Sequence, residues 1–392
     1  MPRASRSSVS DVGAGAPAIM LVAGEASGDL HGAALCRALQ AARPGCRLFG
    51  MGGARMASAG MELLVDVTAA AATGASEAVG RVPMLYRAYR RLRAVLQGAG
   101  RPRVLVVIDF PEFNLRLARA ARRAGVPVVY FIPPQIWAWR GGRVKTIRRR
   151  ISLVLAVFPF EPAIYRRAGV PVEFVGHPVL DAVVGAPDRA TARRELGLGE
   201  HARVVGLLPG SRREEVARTL PLMRAAAAGL ASLHPEVHFL LALAPTVDAA
   251  DVRRHLGATP PIEILSGSAY AVIRASDLLL VTSGTATLEA GVLGTPMVVC
   301  YRFSRFSALM ARLLIRVPWF SLPNLTLGRA VVPELFQEAA SGESLGREAQ
   351  RLLETPGALA AQRAALGQLA RELGEPGVGA RAARLVLGQA GA

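Results

Sequence analysis

Carboxylates stand directly after two apolar runs that have the composition of buried strands. Asp109 and Glu112 follow the run VVI in VVIDFPEFNLRLA, and Glu25 follows the run MLVAG in MLVAGEASGDLHGAAL. A carboxylate held at a strand end, such as Glu25, can accept hydrogen bonds from a hydroxylated ligand. The alternative is that these residues are ordinary helix caps, with Ser27 or Asp29 capping the helix after Glu25 and Asp109 capping the other helix.

The stretch LLPGSRREEV has the features of an anion-binding turn. A strand ends in Pro-Gly210-Ser211, and Arg212 opens a helix whose free backbone N–H groups attract negative charge. The guanidinium of Arg212 can add a bidentate contact to phosphate oxygens. The alternative is an exposed arginine beside a serine cap.

The stretch VTSGTATLEAGVLGTPMVV repeats this arrangement, with Ser283, Gly284 and Thr285 between a strand and a helix. Glu289 lies four residues after Thr285 and therefore on the same helix face, where it can accept hydrogen bonds from ribose hydroxyls. The alternative is a carboxylate that only interacts with the helix dipole. Two such turns in one domain predict a site for a nucleoside diphosphate.

The sequence predicts neither a metal nor a cofactor. It contains no Asp-x-Asp pair and no His-Glu-x-x-His or Cys-x-x-Cys spacing, and its glycines at 24, 28 and 32 match neither a dinucleotide fingerprint nor a P-loop. The diphosphate charge would then be neutralised by helix dipoles and arginine. The scattered Cys36, Cys46 and Cys300 form no disulfide framework, which is typical of a reducing compartment.

The aromatic and basic segment YFIPPQIWAWRGGRVKTIRRR admits several interpretations. Trp137 and Trp139 are either core residues or contact residues, and the basic run from Arg140 to Arg150 is either a solvated helix face or a binding surface. Aromatic residues beside a basic helix suit single-stranded nucleic acid or an anionic membrane surface. The net charge of +18 also favours an anionic partner, although its composition, almost entirely arginine, indicates a contribution from coding bias.

These residues must be positioned by strands and helices that alternate along the chain. Apolar runs separated by helical stretches predict parallel strands covered by helices, so we expect an α/β protein of two doubly wound domains. The carboxyl ends of both sheets are expected to face one cleft. We predict a disordered leader over 1–17, a first domain over 18–185, a second over 186–355, and C-terminal helices over 356–392, one of them possibly crossing back to the first domain.

Eight ordered motifs resemble those of the lipid-A-disaccharide synthase family, namely LVAGEASGDLHGA, IDFPEFN, IPPQIWAWR, FPFEPAIY, VGHPVLD, LLPGSR, SGTATLEAGVLGTPMVVCYR and SLPNLTLGR. The resemblance implies two Rossmann-like domains in the GT-B arrangement. It implies transfer from UDP-2,3-diacylglucosamine to 2,3-diacylglucosamine 1-phosphate, which forms the β-1,6-linked lipid A disaccharide and releases UDP. It also implies a metal-independent, cytoplasmic enzyme at the anionic surface of the inner membrane.

The resemblance also implies roles for individual residues. It makes Asp109 the catalytic base and makes Glu112 and Asn114 part of the same motif. It places Glu25 and Asn324 at the site and assigns Glu289 a ribose contact. It also implies a reaction that inverts the configuration at the anomeric carbon. Trp137, Trp139 and Arg140 would lie on the acceptor and membrane side.

Two alternatives remain open from the sequence. One is another metal-independent UDP-sugar glycosyltransferase with a lipid acceptor, which should lack the Asp109 and Trp137-Ala138-Trp139 motifs as written. The other is a nucleic-acid-binding protein, which would explain the charge and the aromatic residues. It would not explain the acids at strand ends or the two anion turns, so nucleic acid is not the expected partner.

Overall fold

The computed structural model describes residues 16–67, 82–137, 142–257, 260–302 and 317–391. The chain divides into two compact units. The first contains the described residues up to Ile136, residues 142–175 and residues 377–391, and the second contains Trp137 and the described residues of 176–376.

The first unit is built on a parallel sheet of seven described strands. In chain order these are β1 (Ala18–Ala23), β2 (Arg47–Gly52), β3 (Glu62–Asp66), β4 (Val104–Ile108), β5 (Val128–Phe131), β6 (Leu153–Ala156) and β7 (Val172–Phe174). Their order in the sheet is β3-β2-β1-β4-β5-β6-β7. The helices between them are α1 (Ala26–Ala42), α2 (Ala54–Ser58), α3 (Val82–Gln97), α4 (Pro111–Arg123), α5 (Arg143–Arg150) and α6 (Glu161–Arg167).

The second unit repeats this plan with six described strands in the order β10-β9-β8-β11-β12-β13. The strands are β8 (Val204–Leu208), β9 (His238–Leu243), β10 (Ile262–Ser266), β11 (Leu278–Thr282), β12 (Met297–Tyr301) and β13 (Glu334–Phe336). The helices are α7 (Val179–Ala182), α8 (Arg189–Glu195), α9 (Arg213–Leu233), α10 (Ala249–Leu256), α11 (Ala269–Ala275), α12 (Thr285–Val292), α13 (Leu322–Leu327), α14 (Gly342–Glu354) and α15 (Ala358–Glu372). The last helix of the chain, α16 (Val378–Ala390), belongs to the first unit.

The strands at the centre of each sheet are apolar and buried along their whole length. This holds for β1 after its first residue and for all of β4, β8 and β11. Parallel strands covered by helices on both faces require such continuous apolar runs, rather than an alternating pattern. The two sheets confirm the predicted α/β class of two doubly wound domains. No helix in the described part of the chain is both long and apolar enough to cross a bilayer.

The units divide between Val175 and Gly176, whereas the sequence placed the division after residue 185. The reason is that α7 and α8 pack on α12 and α11, respectively, in the second unit. Near the C-terminus, α15 packs on α12 and α13, and only α16 returns to the first unit. There α16 packs on α1 closely enough that a Cβ at Gly379 would lie 3.5 Å from that of Ala38.

Candidate functional site

The carboxylates Glu25 and Asp109 lie at the carboxyl ends of β1 and β4, which are adjacent strands. The strand order reverses between these two strands, because β2 and β3 continue on one side and β5 to β7 on the other. Such a reversal leaves a crevice where ligands of doubly wound sheets bind. The fold therefore brings these two predicted site residues together.

The backbone after β4 adopts an unusual conformation. Asp109 and Phe110 both have positive φ angles, of 47° and 45°, in the left-handed region that non-glycine residues rarely adopt. Each such residue costs on the order of 1–3 kcal/mol and persists only where its surroundings impose it. The helix cap of α4 is Phe110, and no side chain caps this helix, so the alternative in which Asp109 is the cap is wrong.

Asp109 is a carboxyl group whose pKa is raised above its ordinary value. The largest cause is its burial, and the nearby negative charge of Glu25 adds to it. A hydrogen bond from the N–H of Phe110 opposes this rise, and Glu112 contributes least. A carboxylate whose ionised form is destabilised in this way is a stronger proton acceptor than an exposed one.

Two side chains hold the backbone carbonyl of Asp109. The hydroxyl of Tyr130 donates to it at 2.9 Å, and Nδ2 of Asn114 donates at 2.6 Å. Both residues are fully buried. Sequence reasoning placed Asn114 in the motif of Asp109 by resemblance but gave it no separate role. It missed Tyr130, although a tyrosine within the otherwise apolar run VVYF, next to the acid-bearing strand, was a usable signal.

The turn after β1 is shaped by glycine. A Cβ at Gly24 would lie 2.2 Å from the ring of Phe110, so this position has room only for hydrogen. Neither Ser27 nor Asp29 caps α1, which begins after Glu25 without a side-chain cap. The buried carboxylate of Asp29 instead accepts hydrogen bonds from three N–H groups at the start of α2, those of Gly53, Arg55 and Met56.

Glu112 lies in the first turn of α4, and its side chain is 56% exposed. Oε1 of Glu112 forms an ion pair with the guanidinium of Arg143 at the start of α5. The half-buried Trp137 is described, but Trp139 and Arg140 lie outside the described residues. Within the first unit the carboxylate pair of Glu25 and Asp109 is therefore the best-defined chemical feature.

In the second unit, the two predicted anion turns follow β8 and β11, which are adjacent strands. The order of this sheet also reverses between them. Beneath the turns, the hydroxyl of Thr282 donates to that of Thr219 at 3.2 Å, which links β11 to α9. The fold therefore places Ser211 and Arg212 near Ser283 to Thr285 at one edge of the sheet.

The turn after β8 contains Gly210 with a φ of 117°, a conformation suited to glycine. Arg212 is the cap residue of α9, a helix whose first N–H groups have no intrahelical acceptor. The guanidinium of Arg212 is 74% exposed and lies 3.3 Å from the carboxylate of Glu215. Because this contact is long and exposed, Arg212 is accessible to a phosphate group.

The turn after β11 begins with Ser283, whose hydroxyl donates to the carbonyl of Phe320 at 3.0 Å. Gly284 is exposed and caps α12, and Thr285 is the exposed first residue of that helix. The hydroxyl of Thr287 donates back to the carbonyl of Gly284 at 2.7 Å. This turn therefore offers the N–H groups at the start of α12 and the hydroxyl of Thr285.

Glu289 lies one turn into α12, and the hydroxyl of Tyr270 donates to its Oε1 at 3.2 Å. Burial raises the pKa of Glu289, and the hydrogen bond from Tyr270 partly offsets this rise. Burial also raises the pKa of Tyr270, with the charge of Glu289 adding to it, so the hydroxyl keeps its proton and remains a donor. Tyr270 was not found from the sequence, since nothing in the stretch SGSAYAV marks it.

Asn324 is buried, and all of its polar capacity is used within the chain. Its Nδ2 donates to the carbonyl of Val332 and to the carboxylate of Glu334, and its Oδ1 accepts from the N–H groups of Val331 and Val332. This arrangement holds the segment that enters β13. Any influence of Asn324 on a ligand would therefore act through these neighbours.

Among the described residues, no three His, Cys, Asp or Glu side chains cluster in a way that could hold a metal ion. Where the strand order reverses, the first unit places the carboxylates of Glu25 and Asp109 and the second unit places Arg212.

Comparisons with solved structures agree with this fold. The chain superposes on a Staphylococcus aureus MnaA–UDP co-structure with a TM-score of 0.66 and 13% identity, covering 93% of this chain and 94% of the other. It superposes on Acinetobacter baumannii MurG with a TM-score of 0.61 and 13% identity, covering 95% and 99%. At these identities the likeness shows the fold alone, which is the two-domain α/β fold called GT-B.

Comparisons of sequence are closer. The chain is 42% identical to the lipid-A-disaccharide synthase of Geobacter sulfurreducens over 370 residues, covering 94% of this chain and 96% of the relative. It is 44% identical to that of Myxococcus xanthus over 376 residues, covering 95% and 97%. The family model described as lipid-A-disaccharide synthetase matches residues 19–385. The chain therefore belongs to the lipid-A-disaccharide synthase family of glycosyltransferases.

Proposed function

We propose that this chain transfers 2,3-diacylglucosamine from UDP-2,3-diacylglucosamine to 2,3-diacylglucosamine 1-phosphate. The products are UDP and the β-1,6-linked lipid A disaccharide 1-phosphate. Family membership supports the reaction class. The observation that carries the mechanism is Asp109, a partly buried carboxyl group with a raised pKa at the strand-order reversal of the first unit.

In this mechanism Asp109 is the general base. The 6-hydroxyl of the acceptor is a poor nucleophile until a carboxylate removes its proton during attack on the anomeric carbon of the donor sugar. The new C–O bond forms as the bond from that carbon to the UDP oxygen breaks, so the configuration inverts. One base is sufficient for this single displacement, and Glu25 serves beside it as an acceptor of hydrogen bonds from sugar hydroxyls.

The departing UDP carries the developing negative charge. We assign its diphosphate to the guanidinium of Arg212 and to the helix starts at Gly210–Ser211 and Ser283–Thr285, which present N–H groups and hydroxyls in advance of the reaction. Glu289 accepts hydrogen bonds from the ribose hydroxyls. No metal or other cofactor is part of this proposal, because arginine and helix dipoles supply the positive charge.

Both substrates carry acyl chains, so we propose that the enzyme works at the anionic cytoplasmic surface of the inner membrane. Helix α3 supports this. Its apolar residues Val82 and Tyr86 are 60% and 62% exposed. Its exposed arginines are Arg87, Arg90, Arg91 and Arg93. Each basic residue near an anionic leaflet contributes about 1 kcal/mol, and exposed apolar side chains can enter the interface.

Flotation with anionic vesicles tests the membrane proposal. The protein should float at low salt and partly dissociate at high salt. Changing Val82 and Tyr86 to serine should weaken binding several-fold. Changing Val184 and Leu233, which are 70% and 57% exposed in the second unit, to serine is the matched control. Equal losses in both variants, or no flotation at all, would contradict a membrane-binding role for α3.

The reaction itself is tested with radiolabelled UDP-2,3-diacylglucosamine and 2,3-diacylglucosamine 1-phosphate. The expected product is a labelled disaccharide 1-phosphate, formed together with an equal amount of UDP. UDP release without disaccharide would indicate a hydrolase. Disaccharide formation with a different lipid acceptor only would indicate another lipid glycosyltransferase.

A further inference from the structure

The peptide that carries Asp109 is held from two neighbouring elements. Its carbonyl accepts hydrogen bonds from Tyr130 on β5 at 2.9 Å and from Asn114 on α4 at 2.6 Å. Its N–H donates to the carbonyl of Phe131, also on β5, at 3.4 Å. Both backbone polar groups of Asp109 are therefore occupied by groups that belong to rigid elements.

These contacts act on a conformation that the chain would otherwise leave. Asp109 and Phe110 are consecutive non-glycine residues in the left-handed region, and each of them prefers the right-handed or extended regions. If the carbonyl of Asp109 were released, its peptide would rotate toward those regions. The carboxylate would move with the backbone, because its direction depends on the φ and ψ angles of its own residue.

Tyr130 is suited to hold the carbonyl of Asp109, because its side chain is buried and its hydroxyl is a donor. Its side chain is fully buried, and its backbone pairs with that of Val107 in the acid-bearing strand. Burial, with a smaller contribution from the charge of Asp109, raises the pKa of Tyr130 well above its usual range. The hydroxyl therefore keeps its proton and remains a donor.

Holding the Asp109 carbonyl leaves one polar atom of Asn114 without a hydrogen bond. Its Nδ2 donates to the carbonyls of both Ile108 and Asp109, while its Oδ1 is buried without a partner among the described residues. Rotating the amide by half a turn would place Oδ1 against two carbonyl oxygens, so the observed orientation is the one the site requires. A buried acceptor is left unsatisfied in order to keep both donor bonds.

We propose that Tyr130, together with Asn114, is a positioning residue that holds the carboxylate of Asp109 in its reactive direction. This inference rests on the proposed role of Asp109 as the base. It extends that role by naming what maintains the geometry. Tyr130 does not contact the substrate in this account, and it acts only through the Asp109 peptide.

The first test is Tyr130→Phe, which keeps the ring in the core and removes only the hydroxyl. We expect kcat to fall about tenfold with an unchanged KM for the UDP-sugar, because misplacing a catalytic group by a fraction of an ångström slows the chemical step. The matched control is Tyr165→Phe. Tyr165 is equally buried in the same unit, but its hydroxyl donates to Pro134 at 3.3 Å. This control should keep kcat within about twofold.

Thermal melting separates positioning from stability, since both variants lose one buried hydroxyl and should lose similar stability. Equal losses of kcat in Tyr130→Phe and Tyr165→Phe would overturn the proposal. So would a Tyr130→Phe enzyme with wild-type kcat. If Tyr130→Phe does not fold, Asn114→Ala, which removes the other donor, is expected to lower kcat by a similar factor and is judged by the same criteria.

A double variant distinguishes this inference from the function on which it rests. In an Asp109→Asn background, Tyr130→Phe should cause no further loss of kcat, because no base remains to be positioned. If Asp109→Asn abolishes turnover while Tyr130→Phe does not alter it, the base stands and the positioning role fails. If Asp109→Asn leaves turnover intact, the base assignment fails and the positioning role fails with it.

Discussion

At the carboxyl ends of β1 and β4 the first unit presents the carboxylates of Glu25 and Asp109. At the equivalent point of its own sheet, between β8 and β11, the second unit presents Arg212 and the helix start at Thr285. The two sheets share their topology and differ in the chemistry of these loops. In both units the topology leaves a crevice at this point, and a few loop residues give it either acidic or basic side chains.

The turns after β4 and β8 also differ in which residues adopt positive φ angles. In the turn after β8 the residue is Gly210, which adopts this conformation without steric cost. In the turn after β4 the residues are Asp109 and Phe110, and two side-chain donors hold the Asp109 peptide in place. Glycine cannot provide the reacting side chain that we propose for Asp109, so an acid at this position is supported by hydrogen bonds that Gly210 does not need.

The largest expected effect is that of a substitution at Asp109 in the first unit. Asp109→Asn keeps the shape of the side chain but cannot accept a proton, so single-turnover rates should fall by roughly 10²–10⁴. UDP affinity measured by calorimetry should hardly change, since Asp109 and the proposed UDP residues belong to different units. Glu112→Gln is the control and should cost much less, because Glu112 is exposed and paired with Arg143. A stable Asp109→Asn enzyme with a normal rate would make Glu25 the next candidate for the base.

The second effect concerns the anion turn. Arg212→Ala should weaken UDP binding by about tenfold, or about 1.4 kcal/mol, and by the same factor with magnesium or with excess EDTA. The adjacent Arg213→Ala is the matched control, because Arg213 is similarly exposed at 79% and pairs instead with Asp251. Affinity that drops beyond tenfold on adding EDTA to the wild-type protein would contradict metal-free binding.

A smaller effect is expected at Glu289. Tyr270→Phe removes the hydrogen bond that partly offsets the raised pKa of this carboxyl group, so the pKa of Glu289 should rise further. Without the hydrogen bond from Tyr270, Glu289 is a weaker acceptor for the ribose, so UDP binding should weaken by roughly 2–10-fold. The loss should be larger at low pH, where the neutral carboxyl group is a poorer acceptor. Calorimetry across a pH series measures this. An affinity that improves on acidification would contradict the assignment of Glu289 to the ribose.

The smallest effect is a shift in pH dependence. Asp109 must be ionised to act as a base, so the rate should fall as the pH decreases through its raised pKa. Glu25→Gln removes the largest neighbouring charge that raises this pKa, so the midpoint of the acid limb should move to lower pH, whatever happens to the maximal rate. Glu112→Gln should move it less. A shift to higher pH in Glu25→Gln would be inconsistent with the charge coupling described above.

Much of this arrangement could be predicted from the sequence, because apolar runs and turn residues are local signals. The order of strands and helices around Asp109 and Arg212 followed from them. Contacts between distant residues could not be read in this way. The carboxylate of Asp29 binds the start of α2 rather than capping its own helix, and the hydrogen bond from Tyr130 to Asp109 spans 21 positions.

The roles of buried polar residues could not be predicted from the sequence either. Asn324 belongs to a recognisable motif, yet its amide is fully used within the chain. Whether an asparagine faces a ligand or a neighbouring loop depends on packing, which a motif does not encode. Tyr270 was missed for the same reason, since only the folded chain brings it to Glu289.

The return of α16 to the first unit has a consequence for synthesis on the ribosome. Its partner α1 ends at Ala42, whereas α16 begins at Val378 and is translated much later. At about 5–20 residues per second, the surface of α1 that α16 covers waits roughly 20–70 s for its partner. The first unit thus begins to emerge before the second unit and is completed after it. Ribosomes stalled before residue 378 should carry nascent chains in which this unit is more sensitive to protease than in the released protein.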